Sequence, residues 1–65
     1  MNNKIKELRK QNKVTQDELA VAVGVTRQTI ISLENGRYNA SLTLAYKISK
    51  YFEMPIEQVF IFEEE

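Results

Sequence analysis

Four polar side chains fall within a six-residue stretch, and all of them can form hydrogen bonds with a partner. They are Arg27, Gln28, Thr29 and Ser32. Arginine can bind the O6 and N7 atoms of guanine, and glutamine can bind the N6 and N7 atoms of adenine. Ile30 and Leu33, three residues apart, predict a helix that turns these polar groups outward. Ile31 is either exposed, where it could touch a thymine methyl group, or half-buried against the neighbouring helix.

Start and stop signals place this polar face on the second of two short helices. Thr15 and Glu18 have the spacing of a capping box, and Gly24 stands where that helix would end in the left-handed conformation. Thr26 is a second N-cap, and Asn35-Gly36 stops the second helix. This is the pattern of a helix-turn-helix, whose second helix enters the DNA major groove. The alternative is an ordinary helical hairpin with a solvated polar face.

The chain resembles the Cro and phage-repressor family of helix-turn-helix regulators, also called the xenobiotic-response-element family. The resemblance is carried by Gln16, Glu18, Leu19, Ala20, Val23–Ile30 and Leu33–Arg37, and it continues through Asn39, Ser41, Leu42, Ala45, Lys47, Ile48, Phe52, Ile56, Glu57, Val59 and Phe60. Within the family, the chain most resembles short single-domain members such as the cytolysin-operon repressor. It departs from them at Ala40, where proline is usual, and at Ser49, where alanine is usual.

This resemblance implies an all-α, five-helix, lambda-repressor-like fold that binds double-stranded DNA. Arg27 and Gln28 occupy the family's main base-reading positions, and Thr29 and Ser32 are placed to assist them. Five other residues are placed to hold phosphates on either side of the groove: Gln16, Asn35, Arg37, Tyr38 and Asn39. No cofactor, metal or small-molecule ligand is predicted.

Arg9 lies at the edge of the apolar stripe of the first helix, next to Leu8. An unpaired guanidinium would be costly there. The resemblance implies that Arg9 forms a structural ion pair with Glu34, and the forked guanidinium suits bidentate contact with a carboxylate. The alternative is two exposed charges that contribute about 0–1 kcal/mol.

Three further helices are predicted outside the motif. The first is capped by Asn2 or Asn3 and runs to about Gln11. Ser41 caps the next, which ends at Glu53-Met54-Pro55 because proline disfavours helical angles in the preceding residue. Its predicted inward stripe is Leu42, Ala45, Ile48, Ser49 and Phe52. A short fifth helix follows, with Pro55 in its first turn and Ile56, Val59 and Phe60 as its apolar residues.

The apolar segment Val59-Phe60-Ile61-Phe62 predicts a short strand or an extended arm. The resemblance implies that it pairs with Met1 to Asn3, which competes with the capping role of Asn2 or Asn3. The termini would then form a small two-stranded β-ribbon. So small a domain cannot bury all of these side chains, so Val59, Phe60, Ile61 and Phe62 are the predicted dimer interface.

Length and composition restrict the number of domains and the class of protein. The 65 residues predict a single domain, residues 1–65, with the motif at about 15–36 and a dimerisation segment at about 55–63. Such a domain buries only about 60% of its unfolded surface, which favours a homodimer. The sequence has no cysteine or histidine and no clustered catalytic groups, so we do not expect an enzyme. It also has neither a leader nor a membrane-length apolar run, and we expect a soluble cytoplasmic protein.

Charge is unevenly distributed along the chain. Residues 1–50 hold all nine basic side chains and four acidic ones, whereas residues 51–65 hold five acidic side chains and no basic one. The positive part therefore contains the motif, although the net charge of the chain is zero. We predict a dimeric repressor that binds an inverted-repeat operator. The alternative is a protein-interaction module, such as an antitoxin-like or anti-repressor partner.

Overall fold

The computed structural model describes residues 2–61, which form five helices and a two-stranded sheet. The helices are α1 (Ile5–Gln11), α2 (Gln16–Val23), α3 (Arg27–Glu34), α4 (Leu42–Tyr51) and α5 (Ile56–Val59). The strands are β1 (Asn2–Asn3) and β2 (Phe60–Ile61). The five-helix, lambda-repressor-like fold with a small terminal ribbon is the architecture that the sequence predicted.

Local hydrogen bonds explain where α2 begins and ends. The Thr15 hydroxyl accepts the Glu18 N–H at 3.0 Å, and the Glu18 carboxylate accepts the Thr15 N–H at 3.0 Å, which completes the capping box. The Thr15 backbone N–H, together with a smaller contribution from the Thr15 side chain, holds the pKa of the Glu18 carboxyl group below its ordinary value of 4.5. Gly24 ends the helix with φ of 76°, a left-handed conformation that glycine adopts without strain. A Cβ at Gly24 would meet nothing within 4 Å, so the requirement is conformational and not steric.

Helices α3 and α4 begin in the same way. Thr26 accepts the Thr29 N–H at 3.3 Å, and Ser41 accepts the Leu44 N–H at 3.2 Å. Helix α4 ends at Tyr51 and is followed by Glu53 in a left-handed conformation. Pro55 is the N-cap of α5 and does not lie in its first turn, which differs by one position from the prediction.

All five helices contribute side chains to one core beneath the motif. The buried apolar residues are Ile5, Leu8, Leu19, Ala20, Val23, Ile30, Leu33, Leu44, Ala45, Ile48, Val59 and Phe60. The prediction for Leu42 was wrong, because its side chain is 81% exposed whereas Leu44 is buried. Two residues apart on a helix, these leucines lie about 160° from each other, on opposite edges of the same stripe. Neighbouring elements cover the Leu44 edge.

Asn2 and Asn3 lie in the terminal ribbon, and neither is the N-cap of α1. The prediction of that cap from the sequence was wrong, because the N-cap is Lys4, which forms no side-chain cap hydrogen bond. Strands β1 and β2 pair antiparallel, with Asn2 opposite Ile61 and Asn3 opposite Phe60. The Asn3 side-chain oxygen also accepts the Ile5 N–H at 3.2 Å, at the start of α1. Its amide nitrogen donates to the Leu33 carbonyl at 2.7 Å, in the last turn of α3. The ribbon is thereby tied to the end of the second motif helix.

Two of the four predicted dimer-interface residues are buried within their own chain. Val59 and Phe60 are 0% and 1% exposed, because both side chains fill the core of their own chain. They are therefore unavailable for contact with a second copy. Ile61 is 40% exposed and remains a candidate, while Phe62 lies outside the described residues.

Ser49 is a buried position at which a smaller side chain should stabilise the fold. Its hydroxyl has no hydrogen-bond partner among the described residues, and the residue is 4% exposed. We expect Ser49→Ala to raise the free energy of unfolding by about 1–3 kcal/mol, because it removes a buried, unsatisfied polar group. Chemical denaturation measures the change. The matched control Ser41→Ala removes an N-cap and should lower stability by about 1 kcal/mol. A Ser49→Ala chain no more stable than the parent would contradict the prediction.

Candidate nucleic-acid interface

The first turn of α3 and the loop after the helix line one groove of about 350 Å³, which we call the reading groove. Its lining residues are Thr26, Gln28, Thr29, Ser32, Arg37 and Tyr38. Three predicted base-reading side chains thus lie beside two predicted phosphate-binding ones. Gln28 is exposed, whereas Thr29 and Ser32 are half-buried. The Thr29 hydroxyl is also 3.1 Å from that of Thr26, which fixes its position.

The remaining predicted contact residues of this region lie around the reading groove. Asn35 and Asn39 are exposed in the turn and loop after α3, but neither lines the groove. Ile31 is half-buried, which is the second of the two placements considered for it. The reading groove therefore offers the Gln28 amide and the hydroxyl groups of Thr29 and Ser32.

Arg27 lies apart from the other base-reading candidates, at the first position of α3. Its Nε is 3.7 Å from Oδ1 of Asp17, which lies in the first turn of α2. The two side chains are 61% and 75% exposed, so the contact is weak and solvated. The sequence reasoning missed this pair, because no local pattern links the first turns of two successive helices.

Arg9 and Glu34, the expected structural pair, are in bidentate contact. Arg9 Nε donates to Glu34 Oε2 at 2.8 Å, and Arg9 Nη2 donates to Glu34 Oε1 at 3.3 Å. The two side chains are only 12% and 4% exposed, so this is a buried ion pair and not a surface one. It joins α1 to the last residue of α3.

Gln16 is a third member of this pair's network. Its Nε2 donates to Glu34 Oε1 at 3.0 Å, so α2 is tied to the same carboxylate. The sequence assigned Gln16 to phosphate binding and did not predict this bond. One side chain at the end of α3 thus anchors the second motif helix to both α1 and α2, which fixes the helix that carries the polar face.

Comparisons with known proteins agree with this geometry. The Helix-turn-helix family HTH_3 matches residues 5–59. An uncharacterised helix-turn-helix type transcriptional regulator from Archaeoglobus fulgidus is 55% identical over 65 residues, covering 100% of this chain and 92% of the relative. The antitoxin HipB of an Escherichia coli strain is 42% identical over 52 residues, which is 80% of this chain and 55% of that protein.

A solved structure has the same fold. The restriction-modification controller protein C.AhdI from Aeromonas hydrophila superposes with a TM-score of 0.78 at 27% identity, covering 86% of this chain and 85% of that one. Among residues 2–61, no helix is long and apolar enough to cross a membrane. Because the family match covers most of its length, the chain belongs to the helix-turn-helix family of Cro-like, DNA-binding transcriptional regulators.

Proposed function

We propose that this protein is a repressor that reads an inverted-repeat operator with α3 in the major groove. The observation that carries the proposal is the reading groove. It holds Gln28, Thr29 and Ser32 beside Arg37 and Tyr38. Base edges would meet the first three side chains, and a phosphate would meet the last two.

The positions of the remaining candidate residues suggest what each of them would contact on DNA. Arg27 is the candidate for guanine, since it is exposed at the start of α3 and its contact with Asp17 is weak enough to yield to a base. Gln16 keeps its bond to Glu34, which leaves its second amide hydrogen for a phosphate. Asn35 and Asn39 complete the phosphate-binding set. The excess of basic side chains in residues 1–50 supports attraction of this part of the chain to DNA.

A homodimer is part of the proposal, because one copy would cover only a half-site. Ile61 and Phe62 are the proposed dimer contact residues. Val59 and Phe60 are no longer included, because both are buried in the core of their own chain. Two copies should place their α3 helices about 34 Å apart, one turn of DNA. Occupying a promoter in the cytoplasm is the simplest output of such a dimer. We also propose that the chain is a short single-domain regulator of the kind represented by the cytolysin-operon repressor.

A second candidate function is that of an antitoxin-like protein-interaction module. The similarity to the antitoxin HipB favours it, although this chain matches about half of that protein. Such a module would bind a protein partner and would not need base-specific contacts. The polar first turn of α3 argues for the DNA-reading proposal.

Selection from a pool of random-sequence duplexes tests the proposal and separates the two candidates. We expect the folded chain to enrich an inverted repeat with half-sites about 10 base pairs apart, at a fixed salt concentration. Sedimentation of the protein with the enriched duplex should give two copies per site. If a chain shown to be folded enriches no sequence, the repressor proposal fails and the interaction module becomes the better explanation.

A further inference from the structure

A second groove lies on the other side of the start of α3, between the end of α1 and the beginning of α2. It has a volume of about 510 Å³, and we call it the flanking groove. Four of its lining side chains are basic: Arg9, Lys10, Lys13 and Arg27. Among the residues that the structure describes, Asp17 is the one acidic residue of this lining. A lone carboxylate in so basic a surface, beside the helix proposed to read DNA, is unfavourable for general attraction to phosphates.

Asp17 lies next to Arg27, the candidate for guanine. The Asp17 Oδ1 atom is 3.7 Å from the Arg27 Nε atom. Thr15 caps α2 two residues before Asp17, and Thr26 caps α3 directly before Arg27. Hydrogen bonds therefore fix both backbone positions from which the two side chains project. The contact between the first turns of the two motif helices is a consequence of how the motif itself is built.

The contact involves Arg27 Nε and leaves other donors of the guanidinium for a base. Arginine carries five N–H donors in one plane, and guanine accepts bidentate contact through O6 and N7. One edge of the guanidinium can therefore bind guanine while the Asp17 carboxylate stays beside another edge. The weak contact can shift to admit the base without being lost. It also restricts a side chain with many rotamers, so less conformational freedom is lost when the base binds.

DNA would change the strength of this contact. In the free chain the two side chains are 61% and 75% exposed, and water screens their attraction. A guanine seated against Arg27 would exclude part of that water, and attraction between opposite charges grows as the local dielectric constant falls. On a duplex without this guanine, the Asp17 carboxylate would mainly repel the phosphates. Specificity of this kind combines attraction to the correct partner with a penalty against the others.

We propose that Asp17 is a positioning residue for Arg27, which strengthens the preference for guanine in each operator half-site and weakens binding to unrelated DNA. The inference rests on the proposed function and adds to it a residue that contacts no base. Removing the carboxylate should consequently have opposite effects on the two kinds of DNA. A purely structural role, in which Asp17 only interacts with the positive end of the α2 dipole, would affect stability and no base preference.

Asp17→Asn tests the inference, because it keeps the shape of the side chain and removes its charge. Fluorescence anisotropy should show tighter binding of the variant to an unrelated duplex, most clearly at low salt. On single-base variants of the selected operator, the preference at the base pair read by Arg27 should fall roughly twofold to fivefold per half-site, the range of an exposed ion pair. The preferences at other base pairs should match those of the parent.

A double-mutant cycle determines whether the effect passes through Arg27. In the Arg27→Ala background, Asp17→Asn should change no base preference, and only the tighter binding to all duplexes should remain. Asp17→Glu keeps the charge and should restore most of the lost preference. The control Glu7→Gln removes an equal charge from an exposed residue of α1 that lines neither groove, and it should change no base preference. Thermal unfolding should show all variants to be folded.

Two results would overturn the inference while leaving the proposed function intact. One is an Asp17→Asn chain that keeps the parent's preference at every base pair. The other is a change of preference at positions other than the pair that Arg27→Ala relaxes, which includes the case in which Arg27→Ala relaxes none. If the parent chain itself enriches no operator, the proposed function fails and this inference fails with it.

Discussion

Replacing Glu34 with alanine is expected to lower the free energy of unfolding by about 3–5 kcal/mol, the cost of breaking a buried ion pair by removing one partner. The Arg9 guanidinium, 12% exposed, would be left without its carboxylate, and the Gln16 amide would lose its acceptor. A domain of this length has roughly 3–10 kcal/mol of stability in total. The variant should therefore unfold at a much lower denaturant concentration, as measured by circular dichroism.

The control is Glu7→Ala, which removes an exposed glutamate from α1. Its effect should stay within roughly 0.5 kcal/mol, as for most surface substitutions. Similar losses in the two variants would mean that the pair contributes no more than two exposed charges. Two exposed charges were the alternative considered from the sequence. Such a result would contradict the buried network of Arg9, Gln16 and Glu34.

Signals confined to a few neighbouring residues predicted the helices well. Thr15 with Glu18, Thr26 and Ser41 each form the expected cap, because a side chain and the next turn of backbone are enough to make it. Gly24 adopts its left-handed conformation for a reason equally local. Such features need no knowledge of which elements pack together.

Features that depend on neighbours were less predictable. The sequence predicted that Leu42 turns inward from α4, but Leu44 is the buried leucine, because the packing of the other helices decides which edge of the stripe is covered. The apolar C-terminal segment had the same ambiguity. Its composition could not tell that Val59 and Phe60 fill their own core while Ile61 stays partly exposed.

In the candidate site, too, local features could be predicted from the sequence and features that depend on packing could not. The polar face of α3 could be predicted, since Ile30 and Leu33 fix the inward direction of the helix. Its separation into two grooves could not, because Arg27 and Gln28 are adjacent in sequence and yet line different ones. Nor could the bond between Gln16 and Glu34, which joins residues 18 positions apart through side chains alone.

The largest effects on DNA recognition are expected from Arg27→Ala and Gln28→Ala. If each side chain makes a bidentate contact with one base, its removal should cost about 1–3 kcal/mol of discrimination per half-site. Two half-sites double that value, so a dimer would lose about 2–6 kcal/mol at the base pairs concerned. Repeating the random-pool selection with each variant should show the preference relaxed at one symmetric pair of positions and retained at the others.

Arg37→Ala provides the contrast, because Arg37 lies on the loop side of the reading groove and is proposed to bind a phosphate. It should weaken binding to the operator and to unrelated duplexes to a similar degree, with base preferences unchanged. Arg27 and Gln28 line different grooves, so their substitutions should relax different positions of the half-site. If all three folded variants lose affinity uniformly and keep the parent's base preferences, α3 is not the element that reads the sequence.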